Sequence, residues 1–193
     1  MRDELFIRGD VPMTKSEVRT VCVSKLELCP DSILYDIGAG TGSVSIEASG
    51  YLTNGKVYAV EKKPEAQALI EANKEKFAAD CVTVVKGTAP EALSGLEAAT
   101  HVFLGGTSGN LEEVLDLVLK KNPWVRVVAN FIALESLSEM LLWLKKHSIE
   151  AEIVQMQVSK AKTAGTYHMM MGQNPVYIIS FGGEGGMSFE SGK

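Results

Sequence analysis

The chain has 193 residues, of which 46% are hydrophobic and 22% charged, and its formal net charge is −5. That length suits one ordinary domain with a substantial core, and the acidic balance argues against a surface that coats nucleic acid. Cys22, Cys29 and Cys81 are odd in number and lack C-x-x-C spacing, so they predict reduced, mostly buried thiols rather than a disulfide framework or a zinc site. The N-terminal MRDELFIRGD is charged and has no apolar run, unlike a secretory signal. No stretch approaches the roughly 20 apolar residues that span a bilayer. These features are expected of a cytoplasmic protein that binds neither nucleic acid nor membrane.

Residues Leu5–Met13 read as extended. Thr14, followed three positions later by Glu17, has the spacing of a capping box. The helix it would open turns Val18, Val21, Cys22, Leu26 and Leu28 inward. Ile33, Leu34, Tyr35 and Ile37 then form the short apolar run of a strand buried on both faces. That strand carries Asp36 and ends in Gly38, Gly40 and Gly42, after which Val44, Ile46, Ala48 and Tyr51 follow a helical pattern. Glycine tolerates positive φ and has no Cβ, so this turn can bend sharply and let a ligand touch the backbone. It leads into a helix start with free N–H groups. Strand, glycine turn and helix together describe a nucleotide site in a doubly wound α/β fold.

The glycine spacing bears on which nucleotide. A dinucleotide fingerprint would place its third glycine at position 43, where this chain has serine; the glycine is at 42. The resulting G-x-G-x-G, preceded by an acid, resembles motif I of class I S-adenosylmethionine (SAM) methyltransferases, which implies SAM as cofactor. Asp36 beside the turn could orient the ammonium or sulfonium of SAM through solvent. Val57–Val60 reads as the next strand, with Glu61 at its C-terminal end, where a carboxylate can accept both ribose hydroxyls.

A helix is predicted from about Pro64 to Ala79, with Ala68, Leu69, Ala72 and Phe77 as its apolar positions. Cys81–Val85 is the third strand, ending in Lys86–Pro90, where small residues would leave room beside an adenine ring. Thr100–Leu104, Val125–Phe131, Glu150–Ser159 and Pro175–Phe181 read as further strands. Helices Leu111–Lys120 and Leu134–His147 are interposed, the latter with Leu137, Leu141 and Leu144 on one face. Lys160–Asn174 shows no core periodicity and reads as a long irregular segment, and residues 183–193 read as a disordered tail. The alternation predicts an α/β, Rossmann-like, seven-stranded and mostly parallel sheet. Its last strand, entered without a helix, should run antiparallel. A single domain is expected over residues 1–182, with residues 1–30 as a covering segment.

His101, His147 and His168 show no metal spacing, and a surface role is expected for each. The Asp/Asn-Pro-Pro-aromatic motif of amine-methylating enzymes is missing after the fourth predicted strand, where the chain reads LGGTSGN. The acceptor is therefore expected not to be an amide or base nitrogen held by that motif; for an electron-rich carbon acceptor, alignment and desolvation would dominate. A tRNA or protein methyltransferase is the competing enzyme class. A non-catalytic nucleotide-binding module or an NAD-dependent oxidoreductase is the competing reading outside methyl transfer.

VPMTKSEVR, DIGAGTGSVSIE, GGTSGNLEEVL and NPVYIISF, in that order over residues 8–181, resemble the decarboxylating C15-methyltransferases of cobalamin biosynthesis. The resemblance implies methylation of C15 of a precorrin or cobalt-precorrin and loss of carbon dioxide from its ring-C acetate. It implies SAM contacts at Thr14, Gly38, Ala39, Gly40, Thr41, Gly42, Glu61 and Ala89, and a homotetramer that works alongside a separate C5-methyltransferase. Such a tetrapyrrole is a wide apolar disc fringed with carboxylates. Lys160, Lys162, Tyr167 and His168 are accordingly expected to contact it, with Met169–Met171 packing against the ring face. The macrocycle itself can act as the electron sink for decarboxylation, so no protein nucleophile is expected.

Overall fold

The computed structural model describes residues 1–107 and 109–183; Ser108 and residues 184–193, nearly all of the expected tail, lie outside them. A seven-stranded sheet has the order β3-β2-β1-β4-β5-β9-β6. Its strands are β1 (Ile33–Ile37), β2 (Lys56–Glu61), β3 (Val82–Lys86), β4 (His101–Leu104), β5 (Arg126–Phe131), β6 (Glu152–Met156) and β9 (Val176–Phe181). β3, β2, β1, β4 and β5 pair in parallel, while β9 is antiparallel to both β5 and β6, as expected of a strand entered without a crossover helix.

Period-two alternation divides the sheet's side chains between two cores. Leu34, Val57, Ala59, Phe103, Val128 and Ile178 pack with α1 (Ser16–Leu26), α2 (Ser43–Ser49) and α3 (Pro64–Phe77). Tyr35, Ile37, Val60, Val102, Leu104, Val127, Ala129 and Ile179 pack on the opposite face with α4 (Leu111–Lys121) and α5 (Leu134–Lys146). Pro64 opens α3 at a position where its missing N–H costs no hydrogen bond.

Several local expectations are corrected. Thr14 does not cap α1: Lys15 precedes the helix, and no side chain caps it. The buried face of α1 is Val18, Arg19, Cys22, Val23 and Leu26, so a charged residue takes a core position. Tyr51 is exposed beyond the end of α2. The buried face of α3 is Ala66, Ile70 and Asn73, and that of α5 is Met140, Trp143 and Leu144, leaving Leu141 outside. Cys22 is buried, Cys81 partly so and Cys29 exposed.

Lys160–Asn174 is not an irregular loop. β7 (Ser159–Ala164) and β8 (Tyr167–Gly172) form an antiparallel hairpin that pairs Lys160 with Met171 and Thr163 with His168. Every residue of both strands is exposed, so neither face carries the burial that imposes alternation on a sequence.

Candidate active site

Strand order reverses between β1 and β4, and a cleft of ≈710 Å³ opens there at the carboxyl ends of the strands. The turn after β1 forms one wall. Gly38, Gly40 and Gly42 have φ of +73°, +58° and +74°, a region that L side chains rarely adopt. Each also meets a different neighbour. A Cβ on Gly38 would sit 2.4 Å from the Gly106 carbonyl oxygen, one on Gly40 2.9 Å from the Pro12 oxygen, and one on Gly42 3.0 Å from Ile70. The spacing thus serves the close approach of protein to protein as well as the turn itself.

Glu61 is buried at the end of β2 and lines the cleft. Its Oε2 accepts the Gly40 N–H at 2.9 Å, and its Oε1 accepts those of Lys62 and Lys63 at 2.9 and 3.0 Å. A carboxylate offers about four lone-pair sites, so three backbone donors leave roughly one for a ligand hydroxyl. Two ribose hydroxyls could be accepted together only if one of these donors gave way.

Asp36 faces away from this wall. Its Oδ2 accepts both the backbone N–H of Ser45 at 3.0 Å and the Ser45 hydroxyl at 2.5 Å, tying β1 to α2. Its Oδ1 has no partner among the described residues. Burial pushes the carboxyl up to about 6 against the opposing Ser45 hydrogen bonds, and nearby Glu61 adds to the rise. This is a helix-start anchor rather than the solvent-mediated ligand contact expected of it.

A strap formed by the N-terminal segment closes a second wall, with Val11, Pro12, Met13, Thr14 and Lys15 lining the cleft. Arg19 holds it from below. Its guanidinium, fully buried, donates to the Thr14 carbonyl at 2.6 Å, the Met1 carbonyl at 2.6 Å, Glu47 at 2.6 Å and Asp3 at 3.1 Å. Asn73, also fully buried, donates from Nδ2 to the carbonyls of Ile7 and Thr41 at 2.9 Å, and its Oδ1 accepts the Ile7 N–H at 2.7 Å. One side chain of α3 thereby ties the strap to the glycine turn.

Similarity to known proteins places this geometry in a family. The "Precorrin methyltransferase domain" family matches residues 4–181. The chain belongs to that family. It is 40% identical over 183 residues to the cobalt-precorrin-6B C(15)-methyltransferase (decarboxylating) of Salmonella typhimurium, covering 93% of this chain and 94% of the relative. The solved precorrin-6Y C5,15-methyltransferase of Geobacter metallireducens superposes with a TM-score of 0.89 at 39% identity, over 94% of this chain and 97% of that one. A precorrin-8w decarboxylase from Methanobacterium thermoautotrophicum superposes with a TM-score of 0.88 at 31% identity, covering 94% and 99%.

In this precorrin methyltransferase fold, Thr14, Gly38, Ala39, Gly40, Glu61 and Ala89 come together on the cleft. Thr41 and Gly42 lie behind the turn, fully buried or packed on Ile70. Ala89 is fixed from outside by Asn110, whose Nδ2 donates to its carbonyl at 3.1 Å. Lys160, Lys162, Tyr167 and His168 do not line the cleft; the residues at the base of their hairpin, Val158, Gln173 and Asn174, do. Lys160 is instead paired with Glu17 at 2.9 Å, which holds the Glu17 carboxyl below its usual range.

Sequence reasoning missed Lys15, Thr107, Asn130, Gln173 and Asn174 on the cleft. Asn130 had a legible signal, being the one polar side chain in the β5 run VVANF. The histidines lie elsewhere. Burial holds the partly buried His101 imidazole below its usual range. His147 stands 3.5 Å from Asp116, with Glu112 close by, but Trp143 and Lys146 already donate to these two carboxylates.

Proposed function

We propose that this chain is a SAM-dependent C-methyltransferase of cobalamin biosynthesis that methylates C15 of a precorrin or cobalt-precorrin and removes carbon dioxide from its ring-C acetate. The observation that carries the reading is the switch-point cleft, bordered by the glycine turn, Glu61, the strap, β5 and the hairpin base. Membership of the precorrin methyltransferase family and the names of the relatives support the substrate class.

The residues fit SAM. A cleft of ≈710 Å³ lies within the roughly 300–1,000 Å³ that encloses a ligand of drug size. Glu61 keeps a lone pair for a ribose hydroxyl, and Gly87, Thr88 and Ala89 offer a small-residue wall to an adenine ring. Thr14, Gly38, Ala39, Gly40, Glu61 and Ala89 would contact it directly, while Thr41 and Gly42 set the turn from behind. Bound there, SAM supplies an electrophilic methyl group on a sulfonium. The chain's contribution is to fix that seat, align the acceptor carbon against it and keep water out. Among the described lining residues there is no histidine, cysteine, aspartate or tyrosine, and Glu61 is committed to backbone N–H groups. That inventory suits an electron-rich carbon acceptor better than one needing a protein base.

The hairpin is exposed on both faces, with Tyr167 76% and Met170 65% accessible, and a two-stranded hairpin alone is marginal in water. Both points support a homo-oligomer, a tetramer in this reading, in which the hairpin packs against another copy. A separate C5-methyltransferase is the expected companion, and the cytoplasm the expected compartment; no described helix is long and apolar enough to cross a membrane. The deciding experiment incubates the purified chain with the tetrapyrrole and methyl-labelled SAM and weighs the product. A gained methyl together with a lost carboxyl group is the expected result, and an unaltered tetrapyrrole overturns the reading.

A further inference from the structure

Among the described residues the cleft lining carries three cations, Lys15 on the strap and Lys62 and Lys63 after β2 beside Glu61. Lys15, on the strap, also lines a smaller cavity bordered by Arg8, and neither cation is in an ion pair among the described residues. On the β5–β9 wall the polar groups are instead neutral carboxamides, Asn130, Gln173 and Asn174.

The fold places these amides at one end of the sheet. Along β5, Val128 packs on the α1–α3 face, and Asn130 two residues later continues that face into the cleft. Asn130 pairs in register with Ile178, four residues after Asn174, so both asparagines stand at the same end of the sheet. The corner carrying Asn174 is fixed by its neighbour: the Gln173 N–H donates to the Val158 carbonyl at 2.8 Å, and the Gln173 carbonyl accepts Gln157 Nε2 at 2.7 Å. The Asn130 and Asn174 side chains hydrogen-bond to none of the other described residues, which leaves their N–H groups for a ligand.

We propose that Asn130, with Asn174 at the same end of the sheet, holds the carboxylate that departs as carbon dioxide, while Lys15 takes a carboxylate that stays. This rests on the decarboxylating function proposed above. In the step, the bond between the acetate methylene and its carboxyl carbon breaks. Its electron pair passes into the macrocycle, the carboxyl carbon leaves as carbon dioxide, and the methylene carbon then gains one proton from solvent to become a methyl group. A lysine ammonium stabilises the localised carboxylate. That attraction weakens as the charge moves into the ring, so it favours the ground state over the transition state and slows the loss. A neutral amide N–H orients the carboxylate with much less of this opposition. The two walls therefore choose which of several chemically similar carboxylates is lost.

The test uses the full chain with tetrapyrrole and labelled SAM, measuring methyl gained and carbon dioxide released in the same reaction. Titration with S-adenosylhomocysteine confirms folding of each variant. In Asn130→Leu the ratio of carbon dioxide released to methyl transferred is expected to fall by about tenfold or more. Asn130→Lys restores a donor but adds a cation, and the ratio should fall there too. In Lys15→Ala, KM for the tetrapyrrole should rise with the ratio kept. A parental ratio in Asn130→Leu, or rescue by Asn130→Lys, overturns the proposal. If the Asn130 variants do not fold, Asn174→Leu, at an exposed corner, carries the same comparison, and a parental ratio there has the same force. A parent that neither methylates nor decarboxylates the tetrapyrrole instead overturns the function on which the proposal rests.

Discussion

The carboxylate of Glu61 and the backbone N–H of Gly40 are joined at 2.9 Å, linking the end of β2 to the middle of the glycine turn. Glu61 is therefore a brace for the turn as well as the ligand acceptor proposed above. Replacement by alanine should strand three partly buried N–H donors and weaken S-adenosylhomocysteine binding by about 1–3 kcal/mol in calorimetric titration. Glu61→Gln should also bind more weakly than the parent, because an amide NH₂ cannot accept from the backbone. Unchanged affinity in both variants would remove Glu61 from the cofactor site.

The three glycines should differ in what they tolerate. Gly38→Ala brings a Cβ to 2.4 Å from a backbone oxygen and should destabilise most in thermal unfolding. Gly40→Ala should push the strap away through Pro12 and lower cofactor affinity along with stability. Gly95 has nothing within 4 Å of an added Cβ and no positive φ, so Gly95→Ala should fall within about ±0.5 kcal/mol of the parent.

Asp36 gives the stability a pH dependence of known sign. Its folded pKa of about 6 lies above the ordinary aspartate value of 3.8, so between those values the folded chain holds more protons than the unfolded one. Its contribution to stability is present below about pH 4 and is lost as pH rises through about 6, by up to about 3 kcal/mol. Asp36→Asn cannot ionise and should not show that loss. The stability difference between Asn and Asp should shift in favour of Asn from pH 4 to pH 7 in paired urea titrations. Comparing the two proteins cancels the opposite trend from carboxylates such as Glu17 and Glu152, whose partners hold them low.

Arg19→Met should cost about 3–5 kcal/mol, the range for removing one partner of a buried ion pair, since Asp3 loses its cation and Glu47 keeps only the Met1 ammonium. Arg19→Lys should recover little, because one ammonium cannot reproduce the planar fork that meets four acceptors here. At temperatures where the variants remain folded, their KM for SAM should also rise, since the Thr14 carbonyl loses its donor.

The parts legible in the sequence were those in which a local pattern and tertiary burial agree. The runs Ile33–Ile37 and Val57–Val60 are apolar because helices cover both faces of their strands. The glycine spacing is visible because positive φ coincides there with neighbours that leave no room for a Cβ. Where long-range contacts overrode local chemistry, the pattern misled. Thr14 and Glu17 have capping-box spacing, but Arg19 takes the Thr14 carbonyl and Lys160 takes the Glu17 side chain. Arg19 and Asn73 are polar residues on core faces, and only the distant chain they bind explains their burial. The hairpin left no periodic trace because both of its faces are exposed.

Asn73 has a consequence for how the two ligands meet. Its side chain grips Ile7 at the root of the strap and Thr41 behind the glycine turn. Were the tetrapyrrole to enter beneath Val11–Lys15, any shift it imposed on Ile7 would reach the Thr41 carbonyl through the same carboxamide. Thermodynamic reciprocity would make such coupling equal in both directions: whatever factor SAM applied to tetrapyrrole affinity, the tetrapyrrole would return to SAM.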